Sequence, residues 1–442
     1  MKSLTKKIAL INHGCAKNLV DSELMLGMLA QEGFEISLDE TECDVVIVNT
    51  CSFIHDAEAE SVQTILEMVN EGKKVIVTGC LAQRHKMDIH KEIPEAVAIV
   101  GTSDIAKIVD VVKKVANEEQ EFVYEVKDKP EYIYPEMIER QQITVGASSY
   151  IKIADGCNYQ CGYCIIPQLR GAYRSRTIEN IVEEARALAQ KGVSEIVLVA
   201  QDTTSYGIDL YGQPSLARLL KELEKVEEIQ WLRVMYAYPS MFNDELIDVF
   251  KNSKKLVKYI DIPLQHSHPN ILKAMRRPQV CYEDLIKKIR ENIEGVAIRT
   301  TFIVGYPTET DEEFNHLRDF IERVKFDRLG VFEYSREKNT YSYDLDEQVP
   351  KKIKTARKNE IMKLQQKISQ EINNTFIGRE IPCIIEAITH DGHVVGRTYR
   401  DAPEIDGMVF IETGEELPMP GDIVSVKITA AEAYDMWGDL VI

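Results

Sequence analysis

Three cysteines fall close together at Cys157, Cys161 and Cys164, and no other stretch restricts the fold as strongly. Thiolates in this CxxxCxxC spacing share one loop and suit a soft metal centre. A 4Fe–4S cube is usually held by four Cys, yet the next Cys in the chain is Cys281. A cube on three thiolates keeps one iron open to a further ligand. A loop with that task needs a rigid base, and the apolar run just before it, residues 150–154, reads as a strand.

From that strand the chain alternates strand and helix to about residue 345. Strands are expected at 150–154, 195–200, 231–236, 259–262, 297–304 and 328–332, with helices at 178–191, 215–226, 244–251, 282–292 and 311–324. Such βα units predict a partial or full parallel barrel, whose active-site residues lie at the C-terminal strand ends. Polar segments stand at those ends: the three Cys, then 201–207, 238–240, 265–268 and 305–309. Together they predict the rim of a cavity. His266 and His268 lack a zinc spacing and are expected to hydrogen-bond to a cofactor or to their own loop. Gly305 either lets a ligand approach the backbone or serves an ordinary turn. Arg170, Arg276 and Arg277 read as solvated or salt-bridged side chains.

The first 116 residues form a second βα unit, with strands at 8–12, 45–49, 74–78 and 98–100 and helices at 21–31, 57–71 and 103–116. Asp21 is placed as a helix N-cap. The unbroken apolar strands fit a parallel sheet buried on both faces. Cys15, Cys51 and Cys80 follow the first three of them. Ligand sites in such sheets lie outside the carboxyl ends of the strands, so the three thiols are expected to converge there as a second metal site. Three separately buried thiols are the alternative. Cys43, Cys281 and Cys383 are expected to pack as small apolar residues.

Residues 117–149 read as a linker, broken at Lys129-Pro130 and Tyr134-Pro135, with 122–126 as an edge strand. After the barrel, 351–376 reads as a helix with Ile353, Ile361, Leu364, Ile368 and Ile372 on one face, packed against the barrel. Five short antiparallel strands follow, at 380–387, 393–400, 408–412, 422–430 and 437–441. They predict a small closed β-barrel of the oligonucleotide-binding type. The expected class is therefore α/β, divided as 1–116, the linker 117–149, a barrel at 150–375 and a β-barrel at 376–442.

Charge bears on the partner. The chain carries a net −19. Residues 376–442 hold four basic and thirteen acidic residues, a balance of −9. That module would repel phosphates and attract a Lys/Arg-rich protein surface. No apolar run is long enough for a transmembrane helix, and the start lacks a signal-peptide pattern, so a cytoplasmic protein with no membrane partner is expected. Nine Cys in a reducing compartment read as metal or redox ligands rather than disulfides.

The run Cys157 to Cys164, with aromatic Tyr163 before its last Cys, resembles the signature of radical S-adenosylmethionine enzymes. Three N-terminal Cys, a radical barrel and a terminal β-barrel together resemble the methylthiotransferase family over essentially the whole chain, the last module resembling its TRAM domain. Within that family, 14–23 (GCAKNLVDSE) and 433–438 (AYDMWG) resemble the branch that modifies a ribosomal protein. The Gln-Met-Asn-like segment of the tRNA-modifying branch is absent after the first Cys. Where many radical enzymes carry Gly-Gly-Glu after the second strand, Ala200-Gln201-Asp202 stands here.

The resemblance implies two 4Fe–4S clusters, an auxiliary one on Cys15, Cys51 and Cys80 and a radical one on Cys157, Cys161 and Cys164. It implies S-adenosyl-L-methionine as cofactor, with Tyr163, Gln201, Asp202 and Gly305 around it. It names no further catalytic side chain. The implied reaction adds a methylthio group to the β-carbon of an aspartate in the basic S-twelve protein of the small ribosomal subunit. A low-potential donor such as flavodoxin or ferredoxin would supply electrons to a monomeric enzyme. The alternative of a tRNA methylthiotransferase acting on a modified adenosine is disfavoured by the acidic terminal module. A plain iron–sulfur electron carrier is disfavoured by cubes that lack a fourth thiolate.

Overall fold

A computed structural model describes residues 7–131, 139–143, 146–414 and 417–441. The N-terminal start and the Tyr134-Pro135 break lie outside the described residues.

β-Branched runs build the first sheet: β1 (Lys7–Asn12), β2 (Glu35–Ile36), β3 (Val45–Thr50), β4 (Lys74–Gly79), β5 (Ala98–Val100) and β6 (Val123–Glu125). It is wholly parallel, in the order β2-β1-β3-β4-β5-β6. Apolar clusters cover both faces, as expected for strands without a polar side. Asn12 pairs with Asn49, and Asn49 with Thr78. Strands β1, β3 and β4 therefore end level, and Cys15, Cys51 and Cys80 leave from that one edge. The first long helix runs Ala16–Gln31, directly after Cys15. Asp21 is thus not an N-cap but lies inside the helix, buried and ion-paired.

The central sheet comprises β7 (Ser148–Lys152), then, beyond the short antiparallel pair β8 (Ala154–Asp155) and β9 (Arg174–Ser175), β10 (Glu195–Val199), β11 (Trp231–Val234), β12 (Leu256–Asp261), β13 (Ala297–Val304) and β14 (Arg328–Glu333). Its order, β14-β13-β12-β11-β10-β7, leaves an open sheet with no pairing between its two edges, a partial barrel. Helices cover the convex face through the largest apolar cluster. The helix Lys351–Asn374 adds Ile361 and Ile368 to that cluster, with Leu364 and Ile372 half-buried. Ile353 is exposed, against expectation. At that turn the buried face belongs to Lys354, which donates to the Tyr334 carbonyl (2.8 Å), and Arg357, which donates to Glu309 (2.7 Å).

The third sheet is a closed barrel of β15 (Glu380–Ile388), β16 (Val394–Thr398), β17 (Val409–Glu412), β18 (Ile423–Ala431) and β19 (Met436–Val441). It is not antiparallel throughout, because β17 and β19 run parallel. An odd number of strands in a closed ring cannot alternate direction everywhere, so one parallel pair is unavoidable.

This barrel closes the lower concave face of the central sheet through buried ions. Glu195 on β10 sits between Arg233 on β11 (2.8 Å) and Arg397 on β16. Arg328 pairs with Asp401 (2.6 Å), Arg400 with Asp327, and the Tyr259 hydroxyl donates to Asp406 (2.6 Å). Cys43 and Cys383 are buried as expected, whereas Cys281 is exposed just before the helix Tyr282–Asn292. Among the described residues no helix is long and apolar enough to cross a membrane.

Burial opposes charge on Glu195, but Arg397 and Arg233 outweigh it and hold its carboxyl down to about 2. Glu195→Ala leaves the buried Arg233 guanidinium without its carboxylate and Arg397 with Glu386 alone, and is expected to destabilise the protein by about 3–5 kcal/mol, read from the urea midpoint at neutral pH. The Glu195 contribution is complete above the unfolded carboxylate value, near pH ~4.3, and is lost as pH falls through about 2. Wild type sheds that share over this window, whereas Glu195→Gln has none to shed.

Candidate metal and cofactor site

The Cys157–Cys164 loop is held by its backbone. The Cys157 N–H donates to the Gly171 carbonyl (3.1 Å), Gly162 to Met275 (2.8 Å) and Cys164 to Cys161 (3.0 Å), and Ser342 donates to the Gly162 carbonyl (2.8 Å). Gly162 has no room for a side chain: a Cβ would stand 2.7 Å from the Tyr306 hydroxyl and 3.1 Å from Tyr341. The three thiols are half-buried. Burial pushes Cys157 up to about 11 and Cys164 up to about 12, the charge of Cys161 adding to the latter.

Aromatic rings wall this loop. Tyr159 stacks on Tyr238, with centroids 3.9 Å apart. Arg277 lies 4.3 Å from the Tyr238 centroid and donates to the Pro263 carbonyl (2.7 Å), while its buried Nε has no partner. Tyr163 packs with Ile271, Met275, Tyr306 and Tyr334. Arg277 is therefore neither solvated nor salt-bridged, and Arg276 lies over the Tyr341 ring (3.7 Å).

The second set of thiols comes off the first sheet. Cys15 immediately precedes the helix Ala16–Gln31, Cys51 follows β3, and Cys80 opens the short helix Cys80–His85. Six residues are too few to show a helical period, which is why the last helix is not legible in sequence. Cys51 and Cys80 each feel the charge of Cys15, and Cys51 also that of Cys80, so these thiols stand at one edge of the sheet. Cys15 is solvent-exposed, and desolvation by its neighbours opposes charge on it, but Lys17 and Arg170 hold its thiol below the ordinary range. Burial pushes Cys51 up to about 11, with Cys80 adding.

A buried bridge joins the two sets. Lys152 on β7 contacts Asp21 from the first domain and Asp155 (3.1 Å) on β8. Arg170 reaches Asp21 (2.7 Å), Asp155 (3.2 Å) and Asn18, and its Nη2 stands 3.9 Å from the Cys80 sulfur. Burial opposes charge on Asp155, but Lys152 and Arg170 hold it well below the usual carboxylate range. Gln201 donates to Asp155 (2.9 Å), and its own buried Oε1 has no partner. A lysine inside the apolar run Tyr150-Ile151-Lys152-Ile153 was the available sequence signal for this bridge.

Other expected site residues have other partners. Asp202 is buried and accepts bonds from Thr204 (2.8 and 2.6 Å) and Ser205, so its carboxylate shapes its own loop. Gly305 has φ +71°, and Lys354 occupies the space that a side chain there would need. The close approach at Gly305 is thus made by Lys354. His266 accepts from the His268 N–H (3.0 Å), and His268 from the Asn270 N–H (3.3 Å), so both hold their own loop.

Among the described residues no three His, Cys, Asp or Glu side chains converge as they would on one metal ion. A cube makes a different demand, because it spreads its thiolates over separate irons. The two cysteine sets offer sulfur donors of the kind such a cube takes, and the unpartnered Gln201 Oε1 and Arg277 Nε suit the amino and carboxylate groups of an amino-acid cofactor.

Residues 151–321 match the model of the Radical SAM superfamily, 7–101 that of Uncharacterized protein family UPF0004, and 377–441 that of the TRAM domain. The chain is 46% identical over 440 residues to ribosomal protein uS12 methylthiotransferase RimO of Prochlorococcus marinus (strain AS9601), with 98% of this chain and 96% of that protein covered. The RimO of Lachnoclostridium phytofermentans is likewise 46% identical over 440 residues, covering 98% and 99%. The chain belongs to the uS12 methylthiotransferase family. In fold alone, this family member is similar to the radical S-adenosylmethionine methyltransferase TsrM from Kitasatospora setae (TM-score 0.54, 14% identity, 75% of each chain). Radical SAM membership brings S-adenosylmethionine and a 4Fe–4S cluster as cofactors.

Cys157→Ala and Cys15→Ala are each expected to lower the iron of the anaerobically reconstituted protein by about four atoms per chain, and the double variant by about eight. Iron and sulfide analysis reads the result.

Proposed function

We propose that this chain adds a methylthio group to the β-carbon of an aspartate in ribosomal protein uS12, in the cytoplasm. The observation that supports the reading is the buried bridge, which ties the strand ends carrying Cys15, Cys51 and Cys80 to the unit carrying Cys157, Cys161 and Cys164. In this reading Cys157, Cys161 and Cys164 hold the radical cluster, and Cys15, Cys51 and Cys80 the auxiliary one. When bound, the first supplies a 5′-deoxyadenosyl radical from S-adenosylmethionine, and the second supplies the sulfur.

The chain's own residues then bind and exclude water. Gln201, anchored on Asp155, offers its free Oε1 to the cofactor's amino group, and Arg277 offers its free Nε to the carboxylate. The Tyr159–Tyr238 stack closes one side of the loop, keeping water from reactive species. Asp202 and Gly305 act one step away, by shaping the rim. Residues 1–116, 150–375 and 376–442 work as auxiliary-cluster, radical and TRAM units, linked by 117–149. The enzyme is a monomer that takes electrons from a low-potential flavodoxin or ferredoxin.

The terminal barrel favours a protein substrate over tRNA. Of its basic residues, Arg397 and Arg400 are buried against Glu195 and Asp327, leaving Arg379 and Lys427 outward. Beside them stand exposed Glu380, Glu412, Asp422, Glu432 and Asp439, and the stacked pair Phe410–Trp437. An RNA-binding face would need the opposite sign.

The reconstituted enzyme, offered uS12 and bulk tRNA separately with S-adenosylmethionine and reductant, is expected to add the mass of one methylthio group to the protein and nothing to the tRNA. Modification of tRNA alone would overturn the reading. Cys157→Ala is expected to abolish 5′-deoxyadenosine formation, whereas Cys15→Ala keeps that cleavage and stops sulfur insertion.

A further inference from the structure

We propose that Lys17 binds the side-chain carboxylate of the aspartate that receives the methylthio group, and so selects aspartate over asparagine at that position. The inference rests on the function proposed above and deepens it.

Lys17 lies in the first turn of the helix Ala16–Gln31, two residues after Cys15. Its Nζ stands 3.6 Å from the centroid of the Tyr236 ring, across the interface between the first and central sheets. Tyr236 follows β11 at the rim of the central sheet and has φ +60°. A bulky residue holds that conformation only where its surroundings enforce it, and such positions gather at ligand clamps. Here the enforcement is visible. The Tyr236 N–H donates to Asp261 (3.0 Å), and its carbonyl accepts from the Thr203 N–H (3.1 Å). The ring is a fixed platform beneath the ammonium.

The neighbouring cations are committed. Arg170 is shared among Asp21, Asp155 and Asn18, and Lys152 between Asp21 and Asp155. Among the described residues, no carboxylate lies within ion-pair distance of Lys17, although the chain carries 72 Asp and Glu. The Tyr236 ring attracts the ammonium without neutralising it, and the nearby Cys15 sulfur is shared with Arg170, so no carboxylate or other dedicated anion engages its N–H donors. An anionic group from outside would complete it.

The chemistry of the reaction says which group. The aspartyl carboxylate is bonded directly to the β-carbon, so a cation on the carboxylate fixes the reacting carbon to within one bond. Asparagine at the same place would present an amide of the same shape and no charge. The competing role is a counter-charge to the thiolates at Cys15, which asks nothing of the substrate.

The test uses reconstituted enzyme and two forms of full-length uS12, with Asp or Asn at the position that gains the methylthio mass. Dissociation constants are measured for wild type, Lys17→Met and Lys17→Arg, and iron content reports that each variant is loaded. Wild type is expected to prefer the Asp form by about tenfold, as for one hydrogen bond between charged groups. Lys17→Met is expected to bring the two forms to within about twofold, and Lys17→Arg to recover much of the preference. Equal binding of both forms by wild type overturns the proposal without recourse to any enzyme variant. An unchanged preference in Lys17→Met, with a shifted reduction potential, overturns it in favour of the counter-charge role. Failure of wild type to methylthiolate uS12 is a separate result and overturns the function itself.

Discussion

Four charged side chains that share one buried knot determine how this molecule is put together. Asp21 belongs to the first sheet's helix, Lys152 and Asp155 to the first strands of the central unit, and Arg170 to the segment after the CxxxCxxC loop. Two carboxylates face two cations, so the knot is neutral as a whole and costly to break in part. Removing one member would leave an uncompensated charge in the interior, at a cost of roughly 3–5 kcal/mol. Such a knot adds little stability over an apolar interface. Its effect is geometric, because it admits one relative placement of the two domains. In that placement Arg170 reaches Cys80 and Asp155 lies two residues before Cys157.

The same device recurs at the other end of the central sheet. There Glu195, Arg233 and Arg397 join the terminal barrel to the lower concave face, with Arg328–Asp401 and Arg400–Asp327 beside them. The terminal module is therefore a floor to the central sheet rather than a loosely tethered arm. Its two inward arginines are neutralised by the central sheet, and its outward face stays acidic. With the barrel below and the knot at the side, the rim that carries Lys17, Tyr236 and the aromatic wall is where the proposed substrate segment would enter.

Local chemistry was legible in the sequence, and long-range pairing was not. Runs such as Val45–Thr50 and Ala297–Val304 announced themselves because β-branched residues without a polar partner face fit only a strand buried on both sides. The strand ends at which Cys15, Cys51 and Cys80 stand were legible for the same reason. An Asp ahead of an apolar period looks like a cap, and only the partner domain shows that the Asp21 carboxylate points at Lys152 and Arg170. The exposed Cys281 and Ile353 failed for a related reason: type-based burial preferences ignore what a neighbouring element already fills, as Lys354 and Arg357 do at the start of the last helix. Asp202 and Gly305 stood at the expected strand ends, yet loop hydrogen bonds engage the one and Lys354 abuts the other.

The central proposal is that two iron–sulfur sites face each other across the knot. Electron paramagnetic resonance of the fully loaded, reduced enzyme tests it most directly, with the single-cluster variants Cys15→Ala and Cys157→Ala as references. Two nearby paramagnetic clusters broaden and relax each other, so the wild-type spectrum should differ from the sum of the two variant spectra. A wild-type spectrum equal to that sum, with unchanged relaxation, would contradict the account.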